Sequence, residues 1–435
     1  MLAEWQYVNL GVAVDVNPPR ELQRGCNSVY VAMEQLQPNS RAITSFSYRN
    51  FTGSGARFRN NDTLLARITP CLENGKTTFV NCLRDKEVAH GSTEFIVLSG
   101  KEGITDNLYV YYLARLPGFR EFAISLMEGS SGRQRVPSNA LKRFEFYLPP
   151  LPEQKEIAHI LSTLDDKIEL NQQINRNLEA IASAIFKSWF VDFDPVRAKM
   201  EGRQPTGMDA ATTALFPDSF EDSSLGEIPK GWRVSTIGES VRVVGGSTPS
   251  TKEPAYWESG TIHWATPKDL ASLSSSVIVD TERRITELGL QQISSGLLPI
   301  GTVLLSSRAP IGYLAIAEVP LAINQGFIAM ICDRELPNHY ILQWTRANMN
   351  AIKGRANGTT FLEISKTNFR PLNVVVPSSR ILQYFTEQAA VLHQQLVTNL
   401  EQSRTLTTIR DTLLPKLMSG EIRVKEAEKI LEDVA

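Results

Sequence analysis

At 435 residues, with 45 basic against 47 acidic side chains and a formal net charge of −2, the chain has room for two to four domains with filled cores, and it is not a uniformly basic polyanion binder. Its four cysteines, Cys26, Cys71, Cys82 and Cys332, include no close pair at metal-ligand spacing and require no oxidising compartment. No stretch is apolar enough for long enough to span a bilayer, and MLAEWQYVNLGVAVDV lacks a basic start followed by an unbroken apolar run, so a cytoplasmic protein without a membrane partner is expected.

Residues 1–150 predict a mixed α/β unit. Thr63–Ile68, Thr77–Val80 and Glu94–Leu98 are short apolar runs bounded by Gly, Asn and Pro, as strands are, while Asn107–Leu116 and Gly118–Met127 have helical spacing. Arg41, Arg49, Arg57, Arg59 and Arg67 are interleaved with Phe46, Tyr48, Phe51 and Phe58, and the loop EGSSGRQRVPSNALK adds Arg133 and Arg135. Loops of small residues and arginine that lead into strands suit contacts to base edges or phosphates, although the same composition also suits ordinary solvated connections.

Phe144–Leu148 alternates as a strand, and Pro149-Pro150-Leu151-Pro152 sets an extended approach to a helix. Apolar residues then recur at Ile157, Leu161, Leu164, Ile168, Ile174, Leu178, Ile181, Ile185 and Trp189, in steps of three and four broken only around Asn171. This is the stripe of one long helix, on the order of 55 Å at 1.5 Å per residue, that needs a partner helix. A shift of 228 positions carries Ile157, Leu161, Leu164, Ile168, Asn171, Leu178, Ile181, Ile185 and Trp189 onto Phe385, Ala389, Leu392, Leu396, Asn399, Leu406, Ile409, Leu413 and Leu417. With small changes in this offset upstream, Asn107 and Tyr109 answer Asn338 and Tyr340, and Trp5 answers Trp232. The chain therefore reads as an internal repeat of unit, long helix, unit, long helix.

After the first helix, residues 201–224 read as a linker and EIPKGW opens the second unit, residues 225–377. There Tyr256, Trp257 and Trp264 lie close to Lys252, His263 and Lys268, while LLSSRAPIG with Arg308 and KGRANGTTFLEISK with Lys353 and Arg355 answer the polar loops of the first unit. Pro415 is expected to bend or end the second helix, within residues 378–435. Charge is divided along these lines. Residues 1–150 carry 17 basic against 14 acidic side chains and 225–377 carry 14 against 12, whereas 151–224 carry 7 against 13 and 378–435 carry 7 against 8. Polyanion contact by the units and protein contact by the helices would fit this division.

Catalytic motifs are missing. Asn17-Pro18-Pro19-Arg20 has arginine where amino-methyltransferases need a base-stacking aromatic, and no glycine-rich cofactor loop fits upstream. Asp192 and Asp194 lack the Glu-x-Lys partner of common nucleases and read as a cap or a contact. Gly53-Ser54-Gly55 does not continue as a phosphate loop, and the five histidines are scattered, so no metal site is expected.

The run LPPLPEQKEIAHILSTLDDKIELNQQINRNLEAIASAIFKSWFVDFDPVRAKMEG, with LLPKLMSGEI near the C-terminus and EIPKGW followed by GGSTPSTKEPAYWESGTIHW, resembles the specificity subunits of Type I restriction–modification systems. The resemblance covers essentially the whole chain. It implies an α+β fold: two target-recognition domains, residues 1–150 and 225–377, and two long helices in an antiparallel coiled coil, the central helix in 151–200 and the C-terminal helix and tail in 378–435. It also implies a non-catalytic subunit that reads a bipartite, asymmetric double-stranded DNA target, one half-site per domain. Two methylation subunits and, in the full complex, restriction subunits would be its partners, with S-adenosylmethionine, ATP and Mg²⁺ on those partners and none bound here. The resemblance makes Phe186, Trp189, Phe190, Asp192, Phe193 and Asp194 candidates for subunit contact. The DNA candidates are Arg41, Arg49, Arg57, Arg59, Arg67, Arg133, Arg135, Lys252, Lys268, Arg308, Lys353 and Arg355. Ile157, Leu161, Leu164, Ile168, Leu178, Ile181, Ile185, Phe385, Leu392, Leu396, Leu406, Ile409 and Leu413 are the expected seam. A nuclease or methyltransferase acting alone and a protein-only scaffold remain as alternatives.

Overall fold

A computed structural model describes residues 4–38, 40–130, 132–358 and 362–432. The chain divides into two compact units, Met1–Leu170 with Gln402–Ala435 and Asn171–Glu401. Both boundaries fall inside the long helices, Leu151–Phe190 and Ser379–Ser419, so each unit owns a stretch of both.

In the first unit Gln6–Asn9 pairs antiparallel with Glu145–Leu148, closing the globular part on itself just before the helix begins. One four-stranded antiparallel sheet runs Val14–Val16, Phe95–Gly100, Thr63–Ala66, Thr77–Phe79. Thr63–Ala66 and Phe95–Ser99 are buried throughout, which is why these strands read as continuous apolar runs and not as alternation. A second sheet runs Ser47–Asn50, Asn27–Val31, Val88–Gly91, Ala56–Arg59, with one parallel pair, Tyr30 opposite His90. Helices Asn107–Arg115 and Pro117–Ser125 lie against the first sheet's core, the former capped by Asp106 accepting from the amides of Leu108 and Tyr109.

The second unit repeats this topology closely. Arg233–Thr236 pairs with Asn373–Val376, as Gln6–Asn9 pairs with Glu145–Leu148. Arg242–Val244, Phe327–Ile331, Val303–Ser306 and Leu314–Ala317 follow the order of the first sheet, and Val277–Ile278 extends it. Arg283–Ile285, Ile262–Ala265 and Leu321–Ile323 reproduce the second sheet, including its parallel pair, but a single antiparallel bridge, Leu298 with Leu321, takes the place of strand Ala56–Arg59. Residues 201–224, read as a linker, are folded. They hold helix Ala210–Leu215 and strand Phe220–Ser223, and the buried Phe216 joins the unit's core.

The long helices pair antiparallel. In the first unit Ile157, Leu161 and Leu164 pack in one core with Leu413, Leu417 and the half-buried Leu406 and Ile409. Among them lies a buried ionic group: Arg410 bonds Asp165 at 2.5 Å, Tyr112 donates to the same carboxylate at 2.8 Å, and Arg115 stands 3.9 Å away. In the second unit Asn171 donates to the Asn399 carbonyl at 3.3 Å, Asn399 to the Asn175 side chain at 2.9 Å, and Asn175 to the Leu396 carbonyl at 3.3 Å. Phe186 and Phe190 then meet Phe385 at ring-centroid distances of 6.0 and 5.1 Å.

Of the expected seam, Ile157, Leu161, Leu164, Ile168, Phe385, Leu396 and Leu413 are buried, and Leu178, Ile185, Leu392, Leu406 and Ile409 are half-buried. Ile181 departs from it, standing 47% exposed. The inward positions here are Asn175, Leu178, Ala182 and Phe186, and the polar and small members of that row hide the true phase from a count of large apolar residues. Pro415 does not end the second helix. It faces solvent, and so does Asp411, whose carbonyl loses its intrahelical donor; the helix runs on to Ser419, where Gly420 at φ +73° closes it.

Candidate nucleic-acid interface

In the first unit two loops meet beside the central sheet. Arg67, directly after Thr63–Ala66, accepts at its carbonyl from the Val136 amide (2.9 Å), and Ile68 bridges Arg135, so the loop carrying Arg133 and Arg135 is tied to the strand end. Arg133 is exposed and Arg135 forks onto Glu94 at 2.8–3.0 Å, which raises the arginine pKa through that hydrogen bond. Arg57 and Arg59 project from strand Ala56–Arg59, whose third residue, Phe58, is fully buried and fixes the strand's facing. Arg49 lies 4.0 Å from the centroid of the Tyr30 ring. Burial, followed by the Arg49 charge, holds the His90 imidazole below the ordinary histidine range.

The second unit brings together the matching loops. Ser307 sits where Arg67 does, accepting at its carbonyl from the Ile364 amide at 3.0 Å, and Arg308 approaches Glu363 at 3.7 Å. Lys353, Arg355 and Lys252 are exposed, and Lys268 is held by Glu282 at 2.7 Å. Sequence reasoning missed Arg283. Its guanidinium lies 3.7 Å from the Trp257 ring centroid and 5.3 Å from that of Trp264, because the strand register sets Arg283 opposite Trp264. The two tryptophans are visible in the sequence as neighbours, but nothing local announces their arginine.

Three expectations are corrected by burial. Arg41 is 7% exposed and bonded to Asp166 and to Glu169 at 2.9–3.0 Å, so it clamps the first unit to its helix and is not presented to a ligand. Burial opposes its charge, and the two carboxylates more than offset this, raising its pKa. Phe186 and Phe190, expected as subunit contacts, are 2% and 5% exposed and fill the second unit's core, where Tyr340 packs on both rings at 5.1 Å. Of the remaining residues of that helix end, Asp194 is exposed and Trp189, Asp192 and Phe193 are half-buried. Trp189 stacks on Tyr384 at 6.0 Å, Phe193 adopts φ +56° and packs on Trp232 at 5.8 Å, Asp194 accepts from the Ser188 hydroxyl at 2.8 Å, and Asp192 pairs with Lys187.

Among the described residues, no three His, Cys, Asp or Glu side chains gather as a metal-ligand group, and no helix is long and apolar enough to cross a membrane. What the geometry defines is a tandem-repeat protein that mounts two different sets of cationic loops on one duplicated α/β framework. The chain belongs to the Type I restriction modification DNA specificity family, whose domain matches residues 30–180 and 229–402. It is 27% identical to the Type I restriction enzyme HindI specificity subunit of Haemophilus influenzae, over 97% of this chain and all of that one. It is 40% identical to the MjaIX specificity subunit of Methanocaldococcus jannaschii over a shorter span, 39% of this chain and 41% of that one. The crystal structure of a Type I restriction–modification S subunit from M. genitalium shares the fold, with a TM-score of 0.50 at 18% identity, covering 95% of this chain and 96% of that one.

Proposed function

We propose that this specificity subunit reads a bipartite, asymmetric DNA target, one half-site per unit, and recruits methylation and restriction subunits to it. The observation that carries the reading is the duplicated framework with unlike cationic residues: Arg67 and Arg133 on matching loops, with Arg57 and Arg59 on an edge strand, in one unit, and Lys252, Arg308, Lys353 and Arg355 in the other. Two readers with different side chains call for two different half-sites, and joining them in one chain multiplies their affinities through effective concentration. Phosphate contacts position each unit, base-edge contacts supply sequence, and the paired helices set the spacing. The chemistry belongs to the partners, which would carry S-adenosylmethionine, ATP and Mg²⁺. The partly exposed helix end with Trp189, Asp192, Phe193 and Asp194 is the proposed contact for a methylation subunit.

Single-molecule methylome sequencing tests this in a host expressing the chain with its cognate methylation subunit, against a host lacking only the chain. A methylated adenine in a split, asymmetric motif that disappears with the chain is the expected result. An active methylation subunit with no motif depending on this chain would overturn the specificity role.

A further inference from the structure

We propose that the first unit holds a phosphodiester-binding cleft built on Arg57 and Arg67, with no counterpart in the second unit; this rests on the DNA-reading function above. The cleft encloses about 290 Å³ and is lined by both arginines, Asn17, Pro18, Thr93 and Phe95 among others, with no aspartate or glutamate. Other arginines of the unit are engaged: Arg20 on Asp62 at 2.8 Å, Arg135 on Glu94 at 2.8 Å, Arg49 on Tyr30. The side chains of Arg57 and Arg67 have no hydrogen-bond or ion-pair partner among the described residues, and the Arg67 Nε is buried without an acceptor. A buried charged donor left unpaired is costly, so an acceptor from outside the chain is the natural complement.

The walls are set before any ligand arrives. Asn17 adopts φ +54° and is fixed by its amide donating to the Val97 carbonyl at 2.7 Å and its side chain accepting from the Val97 amide at 2.9 Å. Pro18 and Pro19 then stiffen the chain on the C-terminal side of Asn17. Gly55, at φ +106°, lies where a Cβ would come within 2.4 Å of the Gly91 carbonyl oxygen, so no side chain can close that side. The ligand class is set by charge and shape. A guanine edge would occupy one guanidinium and leave two positive charges unbalanced, whereas a phosphodiester brings negative charge and two non-bridging oxygens to a guanidinium fork. In the second unit Ser307 occupies the Arg67 position and the strand bearing Arg57 is cut to a single antiparallel bridge, Leu298 with Leu321, that carries no arginine, so the two half-sites would be gripped unequally.

The test uses the full chain and a random-sequence duplex, with fluorescence anisotropy across a potassium chloride series. Arg67→Ala should weaken binding about tenfold at low salt and reduce the slope of log affinity against log salt by about one. Arg67→Lys should keep the slope and lose about threefold, since charge persists and the fork is lost. The thermal midpoints of both should not fall, because the Arg67 guanidinium makes no internal hydrogen bond to lose, and Ser307→Ala in the second unit should change neither affinity nor slope. Wild-type binding with an Arg67→Ala variant of equal affinity and slope overturns the cleft and leaves the DNA-reading function standing. An unchanged slope on the random duplex, together with relaxed preference at one base pair of the methylated motif when the Arg67→Ala chain is run through the methylome experiment above, overturns the phosphodiester assignment in favour of base readout. A wild-type chain that binds no duplex at any salt overturns the DNA reading itself.

Discussion

In the first unit the paired helices bury an ion pair, Asp165 with Arg410, both 2% exposed, and in the second they bury three asparagines, Asn171, Asn175 and Asn399. Both polar groups sit on the same antiparallel seam and are enclosed by apolar residues. The ionic version depends on Tyr112 and Arg115, which come from the unit's own helix Asn107–Arg115 and reach into the seam. In the amide version the three bonds run from one long helix to the other. The charged seam therefore registers the helices against the globular part as well as against each other, while the asparagines register helix against helix. Buried polar groups that fix register are a known use of such residues, at some cost in stability.

The comparison breaks most sharply at Arg410. Arg410→Ala leaves Asp165 buried without its main partner and should destabilise the chain by about 3–5 kcal/mol in chemical denaturation. Arg410→Met combined with Asp165→Leu should recover most of that loss, because the desolvation of both charges is removed together; if the double variant is as unstable as the single one, the ionic group is needed for packing and not only for charge balance. Asn399→Ala should cost less, about 1–3 kcal/mol, the penalty for stranding neutral hydrogen-bonding groups. An equal loss at both sites would erase the distinction between the two seams. Ile181→Ser should change stability by less than about 0.5 kcal/mol, as an exposed position does, and a larger loss would return Ile181 to the seam.

The repeat is legible because duplicated frameworks preserve periodicity: Trp5 and Trp232, and the helix-initiating Pro149 and Pro377 regions, hold matching places in the two units. The helical stripe is legible for the same reason, and its phase error at Ile181 arises where Asn175 and Ala182 carry the seam. The cationic site is less legible. Arg41, Arg57 and Arg67 are alike on the sequence, yet Arg41 is locked under the helix, while Arg57, exposed on a strand, and the half-buried Arg67 line one cleft.

By itself, the sequence determined the elements, their duplication and the pairing of two long helices, because periods of two and of three to four residues report burial locally, and a repeat reports it twice. Only the tertiary structure decided which charges are free. An arginine's availability depends on the acceptor it meets, and those acceptors lie far away in the chain: Glu169 for Arg41, Glu94 for Arg135, Asp165 for Arg410. Sheet register and helix docking choose these partners, and neither is written in the neighbourhood of the residue they neutralise.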